Sequence, residues 1–495
     1  MVAPMNRPRQ TAASEGRTGR ALRGSWLTAA AVARVTGGEV LVRGTAATGV
    51  TTDSRGDCAG RLFVALRGAN HDGHAFLAAA IAAGAAGLLV DRPPTGSPND
   101  RRSERAAPFV VRVADTGAAL LDLAAEHRRR HRAKVLGVTG SCGKTSTKEW
   151  LGAVLAQAMP TVRSPGSFNN QIGVPLTLFK IAPDTRAAVV EIGTNAPGEI
   201  ARLTEVARPD VGIVTCVAPA HLEGLGSLAG VAREKSALPA GLPEDGLCIL
   251  NGDDAACRAM AAVTRAKVEL FRVEHEADWF ATDVRFHALG TTFLLQGRRQ
   301  VTLPRLGTHN VYNALAVIAA ASHLGVAEED VLQALATVPS AQRRLEPKLA
   351  GGVTVFDDTY NMNPQSAAAA LHALAGLSGG GRRIAVFGEM RELGEQSELL
   401  HRGLGAEVAA TRQDLLVCVG AGARAIADGA LGAGMAAAAV HQVPDQDQAL
   451  QLLRACLRPG DRVLCKASRA VALDQLVDRL VADLGTERGS AAAMG

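Results

Sequence analysis

From Lys134 onward one pattern repeats along the chain: an apolar run rich in β-branched residues, a glycine turn, then a helix-forming stretch. The runs are "KVLGVTG", "AAVVEIG", "DVGIVTCV" and "GLCILNG". Runs of this kind, separated by helical segments, predict a doubly wound and mostly parallel sheet. Residues 279–303, "WFATDVRFHALGTTFLLQGRRQVTL", differ and read as antiparallel strands added late in the same domain. A further α/β block opens near Pro339, with strands "GVTVFDD", "RIAVFGEM", "LLVCVG" and "RVLCKAS", each followed by helix-like sequence. Ahead of Lys134, Ser25–Asp115 mixes the short runs "RLFVAL", "AAGLLV" and "FVVRV" with an Ala-rich helix over Ala75–Gly84. A Pro/Arg/Ser loop at 92–107 interrupts it, and Thr116–Arg132 reads as a helix ending in a basic cluster.

The pattern thus predicts an α/β protein of three domains. They are a small α/β domain over 25–115, a central domain over 116–338 and a C-terminal Rossmann-like domain over 339–482, flanked by an Arg-rich tail at 1–24 and a small-residue tail at 483–495. The length, 495 residues, agrees with roughly three domains. A net charge of +5 is modest, and much of the basic excess lies in Arg7–Arg23 and Arg101–Arg132. That balance favours anionic small molecules over a nucleic-acid track. With no apolar h-region in the tail and no run long enough to span a bilayer, the expectation is a cytoplasmic chain without membrane insertion. The 8 cysteines show no CxxC pairs or metal-ligand spacing, which points to reduced thiols.

The strongest local signal is "VLGVTGSCGKTSTKEW" at 135–150. A β-rich run enters a glycine turn, and Lys144-Thr145 opens a helix. This is the grammar of a phosphate loop: Gly140 and Gly143 let backbone N–H groups turn inward, and the helix N-terminus adds partial positive charge. Thr139, Gly140, Ser141, Cys142, Gly143, Lys144, Thr145 and Ser146 are therefore the candidate ATP-binding loop. Lys144 would reach the β- and γ-phosphates and the Thr145 hydroxyl would ligate Mg²⁺. The spacing, Gly140-x-x-Gly143-Lys144-Thr145, is shorter than the usual loop because Val138 stands where its first glycine would be.

This short loop followed by "TSTKE" resembles the Mur ligases, ATP-dependent amide-forming enzymes of peptidoglycan precursor synthesis. The resemblance continues through "TTDSRGDCAGRLFVALRGANHDGHAF" (51–76), "SFNNQIGVPLTL" (167–178), "EIGTNAPGEI" (191–200) and "AHLEGLGSLAGVAREK" (220–235). It extends to "GTHNVYNALAV" (307–317), "RRLEP" (343–347), "DDTYNMNPQS" (357–366) and "FGEMRELG" (387–394), leaving out only the two tails and the 92–107 loop. "YNMNP" and "FNNQIGVP" favour a member that takes UDP-MurNAc-tripeptide, D-Ala-D-Ala and ATP. The alternative is a sister ligase adding a single amino acid to a shorter precursor. Departures from the family pattern are Ala467 within "KAS", Arg343, Thr194 and Ala196.

What the resemblance implies is a first domain that binds the UDP-sugar, and a reaction in which a peptide carboxylate becomes an acyl phosphate that the incoming amine attacks. Ser54, Arg55, Asp72, Gly73 and His74 would hold the UDP-sugar. Asn169, Asn170, Asn361 and Asn363 would contact substrate. Asn310 and Asn313, at i and i+3 on one helix face, would meet adenine and ribose, although Asn310 is equally an N-cap. Asp358 suits ribose hydroxyls and Arg344 a phosphate oxygen. Lys466, Ser468 and Arg469 would touch the acceptor or a phosphate. Glu191 and His221, each after a strand, would be ligands of a second Mg²⁺; on residue type alone they are equally a paired carboxylate and a loop imidazole. The protein is expected to act as a monomer.

Lys235 stands apart from the other candidates. Only eight of the 53 basic residues are lysine, and this one stands on a helix where arginine is the default. The resemblance implies that it reacts with CO₂ and serves as a carbamate ligand to the second Mg²⁺, a reaction open to a primary amine and closed to arginine. A snorkelling helix lysine is the plain alternative.

Overall fold

The computed structural model describes residues 25–68, 71–93, 107–287, 290–338 and 342–491. The Arg-rich tail at 1–24, most of the loop at 92–107 and the last four residues lie outside them. The chain forms two compact units, Met1–Glu126 and His127–Gly495, and the division falls inside the helix Thr116–Arg129.

The N-terminal unit carries a five-stranded sheet ordered Glu39–Val42, Phe109–Arg112, Gly87–Val90, Leu62–Val64, Val50–Thr51. All neighbours are parallel except the first pair. The three apolar runs read from the sequence are its central strands. The Ala-rich segment begins as a 3₁₀ turn at Gly73–Phe76 and becomes helical only at Leu77–Ala82.

The second unit holds two sheets. In the nine-stranded sheet, β1 (Lys134–Thr139) is third from one edge, and α1 (Lys144–Ala158) follows it after the glycine turn. On one side lie β2 (Ala187–Glu191) and the short edge strand Thr161–Arg163; on the other lie β3 (Val211–Val214), Leu247–Asn251 and Lys267–Val273. All of these strands are parallel. β1, β2, β3 and Leu247–Asn251 are buried along nearly their whole length, which accounts for their apolar character, while Thr161–Arg163 and Lys267–Val273 are only partly buried. Trp279–His287 continues the parallel order, and only Gly290–Leu295 and Arg299–Leu303 turn antiparallel. The helix α2 (Leu228–Ala240) starts at Ser227, whose hydroxyl accepts from Gly230 N. The apolar helix α3 (Thr308–His323) packs on the same core as β1 and α1.

The six-stranded sheet runs Glu346–Ala350, β4 (Val353–Asp357), β6 (Arg462–Lys466), β5 (Arg383–Phe387), Leu415–Val419, Val440–Val443, parallel except at Glu346–Ala350. Its helix α4 (Pro364–Ala375) follows β4. The last helix, Asp474–Ala491, continues well into the stretch read as a small-residue tail, because "DRLVADLGTER" supplies good helix formers and apolar spacing.

Candidate active site

The site is built where β1, β2 and β3 end. Register sets Val138 level with Glu191 and Thr139 level with Val214, so the turn after β1, the Glu191 carboxylate and Thr215–Cys216 emerge at one edge. The turn is pinned from behind. Ser141 N donates to Cys216 O (2.8 Å), Ser141 Oγ donates to Ala218 O (2.9 Å), and Cys142 N donates to Cys216 Sγ (3.3 Å). Gly143 has φ +82° and caps α1; a Cβ there would lie 2.5 Å from Asn313 Oδ1. Glycine is needed on both counts. Lys144 Nζ spans the loop mouth, donating to Gly140 O (2.6 Å).

A cavity of about 780 Å³ opens in front of this loop, walled on its other side by residues after β4, α4 and Lys466. It brings together Ser141–Ser146, Asn169, Asn170, Glu191, His221, Lys235, Asn310, Asn313, Arg344, Asp358, Asn361 and Asn363. Thr139 and Gly140 lie behind its wall. Ser468 and Arg469 do not line it: the Ser468 hydroxyl accepts from Arg391 N (2.8 Å), and Arg469 pairs with Asp474 (3.1 Å). Ser54, Arg55, Asp72, Gly73 and His74 belong to the N-terminal unit. There Arg55 is paired with Asp53 (2.9 Å), which holds that carboxyl down to about 2. Asp72 caps the turn at Gly73–Phe76 and bonds His74 Nδ1 (2.8 Å) and Arg92 (2.5 Å).

Glu191 is 1 % exposed. Its Oε1 accepts from Asn169 Nδ2 (2.8 Å) and Thr145 Oγ1 (3.2 Å), while Oε2 is buried with no partner. A buried carboxylate oxygen without a donor is costly unless a cation supplies the missing charge, so the donor set Thr145–Glu191 fits Mg²⁺. His221, at φ +55°, sets Nδ1 2.5 Å from Glu392 Oε2, an ion-pair contact that holds the Glu392 carboxyl below its ordinary value. Among the described residues no three His, Cys, Asp or Glu side chains gather for a metal.

Lys235, in the middle of α2, is 1 % exposed and makes no hydrogen bond or ion pair among the described residues. Burial, and then the nearby Lys144, push its amine down to about 7. It is not a snorkelling lysine.

The two adjacent arginines separate clearly. Arg344 Nη2 donates to Thr145 Oγ1 (3.0 Å), and its guanidinium lies 4.2 Å from the Tyr360 ring centroid. Arg343 turns away at φ +59° and pairs with Asp474 and Asp478 (3.1 Å to the latter). Asp358 accepts from Lys466 Nζ (2.6 Å) and Leu345 N (3.2 Å); burial raises its carboxyl against the pull of Lys466 and Arg344.

Several of these cavity-wall amides also hold partners within the protein. Asn310 is not an N-cap, because Gly307 holds that place; its Nδ2 donates to Leu306 O (2.8 Å). Asn313 Oδ1 accepts from Thr147 Oγ1 (3.2 Å), bracing the phosphate loop. Asn170 Oδ1 accepts from Ile172 N and Gly173 N (3.1 and 2.9 Å), holding the turn that leads into the helix Gly173–Leu178. Asn363 caps α4 in a capping box with Ser366. The wall also carries residues that the motifs did not single out, His309 and Tyr360 among them. His309, inside "GTHN", keeps Nδ1 buried and unpartnered, and burial pushes the ring down to about 4. Tyr360 hydrogen-bonds Ser167 and carries Arg344.

A doubly wound sheet with a phosphate loop, facing a second α/β sheet across an ATP-sized cleft, defines a nucleotide-dependent ligase of the Mur type. Three family models match: the Mur ligase family catalytic domain at 46–128, the Mur ligase middle domain at 138–321, and the Mur ligase glutamate ligase domain at 343–469. The chain belongs to the Mur ligase family. Among its relatives, the UDP-N-acetylmuramoyl-tripeptide–D-alanyl-D-alanine ligase of Mycobacterium bovis is 38 % identical, covering 92 % of this chain and 98 % of the relative. The enzyme of the same name from Escherichia coli is 37 % identical, covering 87 % and 93 %. Of solved structures, MurF from Acinetobacter baumannii matches with TM-score 0.82 and 31 % identity over 92 % of this chain and 98 % of that one. MurF from Thermotoga maritima in complex with ADP matches with TM-score 0.77 and 26 % identity over 88 % and 97 %.

The state of Lys235 has a measurable consequence. Its folded pKa is depressed, so between about 7 and the ordinary lysine value the unfolded chain binds a proton that the folded chain does not. The penalty is therefore full below about pH 7 and fades as pH rises. In CO₂-free buffer without divalent cations, Lys235→Met is expected to raise Tm more at about pH 6 than at about pH 9. An equal shift at both, read by calorimetry, would show that the amine is not held neutral.

Proposed function

We propose that this protein joins D-Ala-D-Ala to UDP-MurNAc-tripeptide at the expense of ATP, as a monomer in the cytoplasm. The observation that carries the reading is the meeting, on one cavity wall, of the phosphate loop, the orphaned Glu191 oxygen and the unpartnered Lys235 amine. The names of the full-length relatives supply the substrates.

The loop N–H groups and Lys144 hold the β- and γ-phosphates, and His309 and Asn310 border the adenine. Asp358 takes the ribose. Arg344 leaves Thr145 to bridge a phosphate oxygen, which ties the C-terminal sheet to the nucleotide. The tripeptide carboxylate attacks the γ-phosphorus, ADP leaves, and an acyl phosphate results. The dipeptide amine then attacks the acyl carbon and phosphate departs. No protein nucleophile is required; what the residues supply is alignment and cation clamping of crowded negative charge.

Thr145 and Glu191 would hold one Mg²⁺, and Glu191, His221 and Lys235 another; the metal would neutralise phosphate charge. Lys235 completes that second set as a carbamate. A buried, uncharged primary amine is the form that adds CO₂, releasing a proton, and the carbamate formed would be a second anionic oxygen donor beside Glu191 and His221. In the N-terminal unit, Ser54, Arg55, Asp72, Gly73 and His74 would bind the UDP-sugar, Arg55 exchanging Asp53 for pyrophosphate.

Phosphate release from ATP is expected to need both UDP-MurNAc-tripeptide and D-Ala-D-Ala. Equal turnover with one L-amino acid in place of the dipeptide would move the assignment to a sister ligase. Arg344→Ala should lower kcat/KM by about a hundredfold or more, the scale for losing one charge-stabilising donor. Arg343→Ala should cost stability and little activity. Matched losses in steady-state assays would refute the division of labour between them.

A further inference from the structure

Two thiols meet beneath the phosphate loop. Cys142 lies in the loop itself, half-buried on the cavity wall. Cys216, 8 % exposed, stands directly behind it, just past β3. The Cys142 N–H donates to Cys216 Sγ (3.3 Å), and the Cys216 thiol reaches back to Cys142 O (3.6 Å). On its other side Cys142 Sγ accepts from Asn363 Nδ2 (3.1 Å), the residue that caps α4. The Cys216 thiol, the Asn363 amide and the ammonium groups of Lys144 and Lys466 all favour a Cys142 thiolate, and together they outweigh burial and hold it below the ordinary cysteine value. Cys216 is pushed up by Cys142 and by burial, so it keeps its proton. One sulfur is thus reachable and activated, and the other is sheltered and adjacent. That is the division between an attacking and a resolving cysteine.

We propose that Cys142 and Cys216 are a peroxide-reactive thiol pair that closes into a disulfide across the phosphate loop and blocks nucleotide binding. The Cys142 thiolate attacks one oxygen of hydrogen peroxide and the O–O bond breaks. This gives a sulfenic acid on Cys142 and a hydroxide that takes up a proton to become water. The Cys216 sulfur then attacks the Cys142 sulfur; the S–S bond forms, the S–O bond breaks, and the hydroxyl leaves with the Cys216 proton as a second water. Two thiols lose two electrons and one peroxide becomes two waters. Closure draws the Cys142 sulfur from Asn363 toward the strand and removes the sulfur acceptor of the Cys142 N–H. Both changes deform the turn whose N–H groups face the phosphates. A nucleotide in the loop covers Cys142 and should protect it. The blocking effect rests on the phosphate-loop reading; the covalent step does not.

The test treats the full-length chain with hydrogen peroxide, with and without ADP, alkylates the remaining thiols and digests for mass spectrometry. Binding of a fluorescent ADP analogue is followed in parallel. A Cys142–Cys216 linked peptide is expected, slowed by ADP, with nucleotide affinity falling about tenfold or more and returning with a thiol reductant. Cys216→Ala, normalised to its own untreated affinity, should give no link and accumulate sulfinic Cys142 that the reductant does not reverse. Absence of the linked peptide from the wild-type chain, or a link that leaves ADP affinity unchanged, overturns the proposal. Failure of the untreated chain to bind ADP would instead overturn the nucleotide reading, and it is distinguished by needing no oxidant.

Discussion

The ladder between β2, β1 and β3 fixes where everything chemical can stand. With Val138 level with Glu191 and Thr139 level with Val214, three parallel strands stop together. A carboxylate, a phosphate turn and a Thr-Cys pair are thereby delivered to one edge without any long loop. A slip of one residue in β2 would turn Glu191 to the opposite face of the sheet. Hydrophobic burial on both faces prevents that slip, so the apolar runs that define the fold also define the site.

That edge has an unusual charge account. Lys144, Lys235, Arg344 and Lys466 converge on the cavity, yet they are held very differently. Lys466 has Asp358, Arg344 has Thr145 and the Tyr360 ring, and Lys144 has its own loop carbonyls. Lys235 alone of the four has no hydrogen-bonding or ion-pair partner among the described residues. Buried charge without a partner is the least tolerable element of any interior, and the protein relieves it by depressing the amine's pKa. Glu191 Oε2 presents the mirror problem, an anionic oxygen without a donor. A metal ion held here together with a carbamate on Lys235 would answer both.

How much of this was legible in the sequence depended on whether a residue's job is recorded in its neighbours. The central strands were legible because their apolar runs are long and unbroken. The edge strands Glu346–Ala350 and Val440–Val443 were not: they are half-exposed, one contains Pro347, and neither carries a buried run. The phosphate loop was legible because the β-rich run, the glycine turn, Lys144-Thr145 and the following helix stand in one short stretch. Lys235 stood out through the scarcity of lysine and through the family resemblance, but its lack of partners is a property of packing. The amides were the weak point. Asn170, Asn310 and Asn363 each satisfy a backbone group, a use that residue type cannot separate from ligand binding. Likewise nothing in "RRLEP" tells which arginine turns inward; the positive φ of Arg343 decides it.

The claim on which the account turns is that Lys235 exists as a carbamate in the working enzyme. ¹³C NMR of the full-length protein equilibrated with ¹³C-bicarbonate and Mg²⁺ tests it directly. The account predicts a protein-bound carbamate carbon signal in the wild type that is absent from Lys235→Arg, a variant that keeps the charge and cannot add CO₂. A wild-type spectrum without that signal, or one in which Lys235→Arg retains it, would contradict the account.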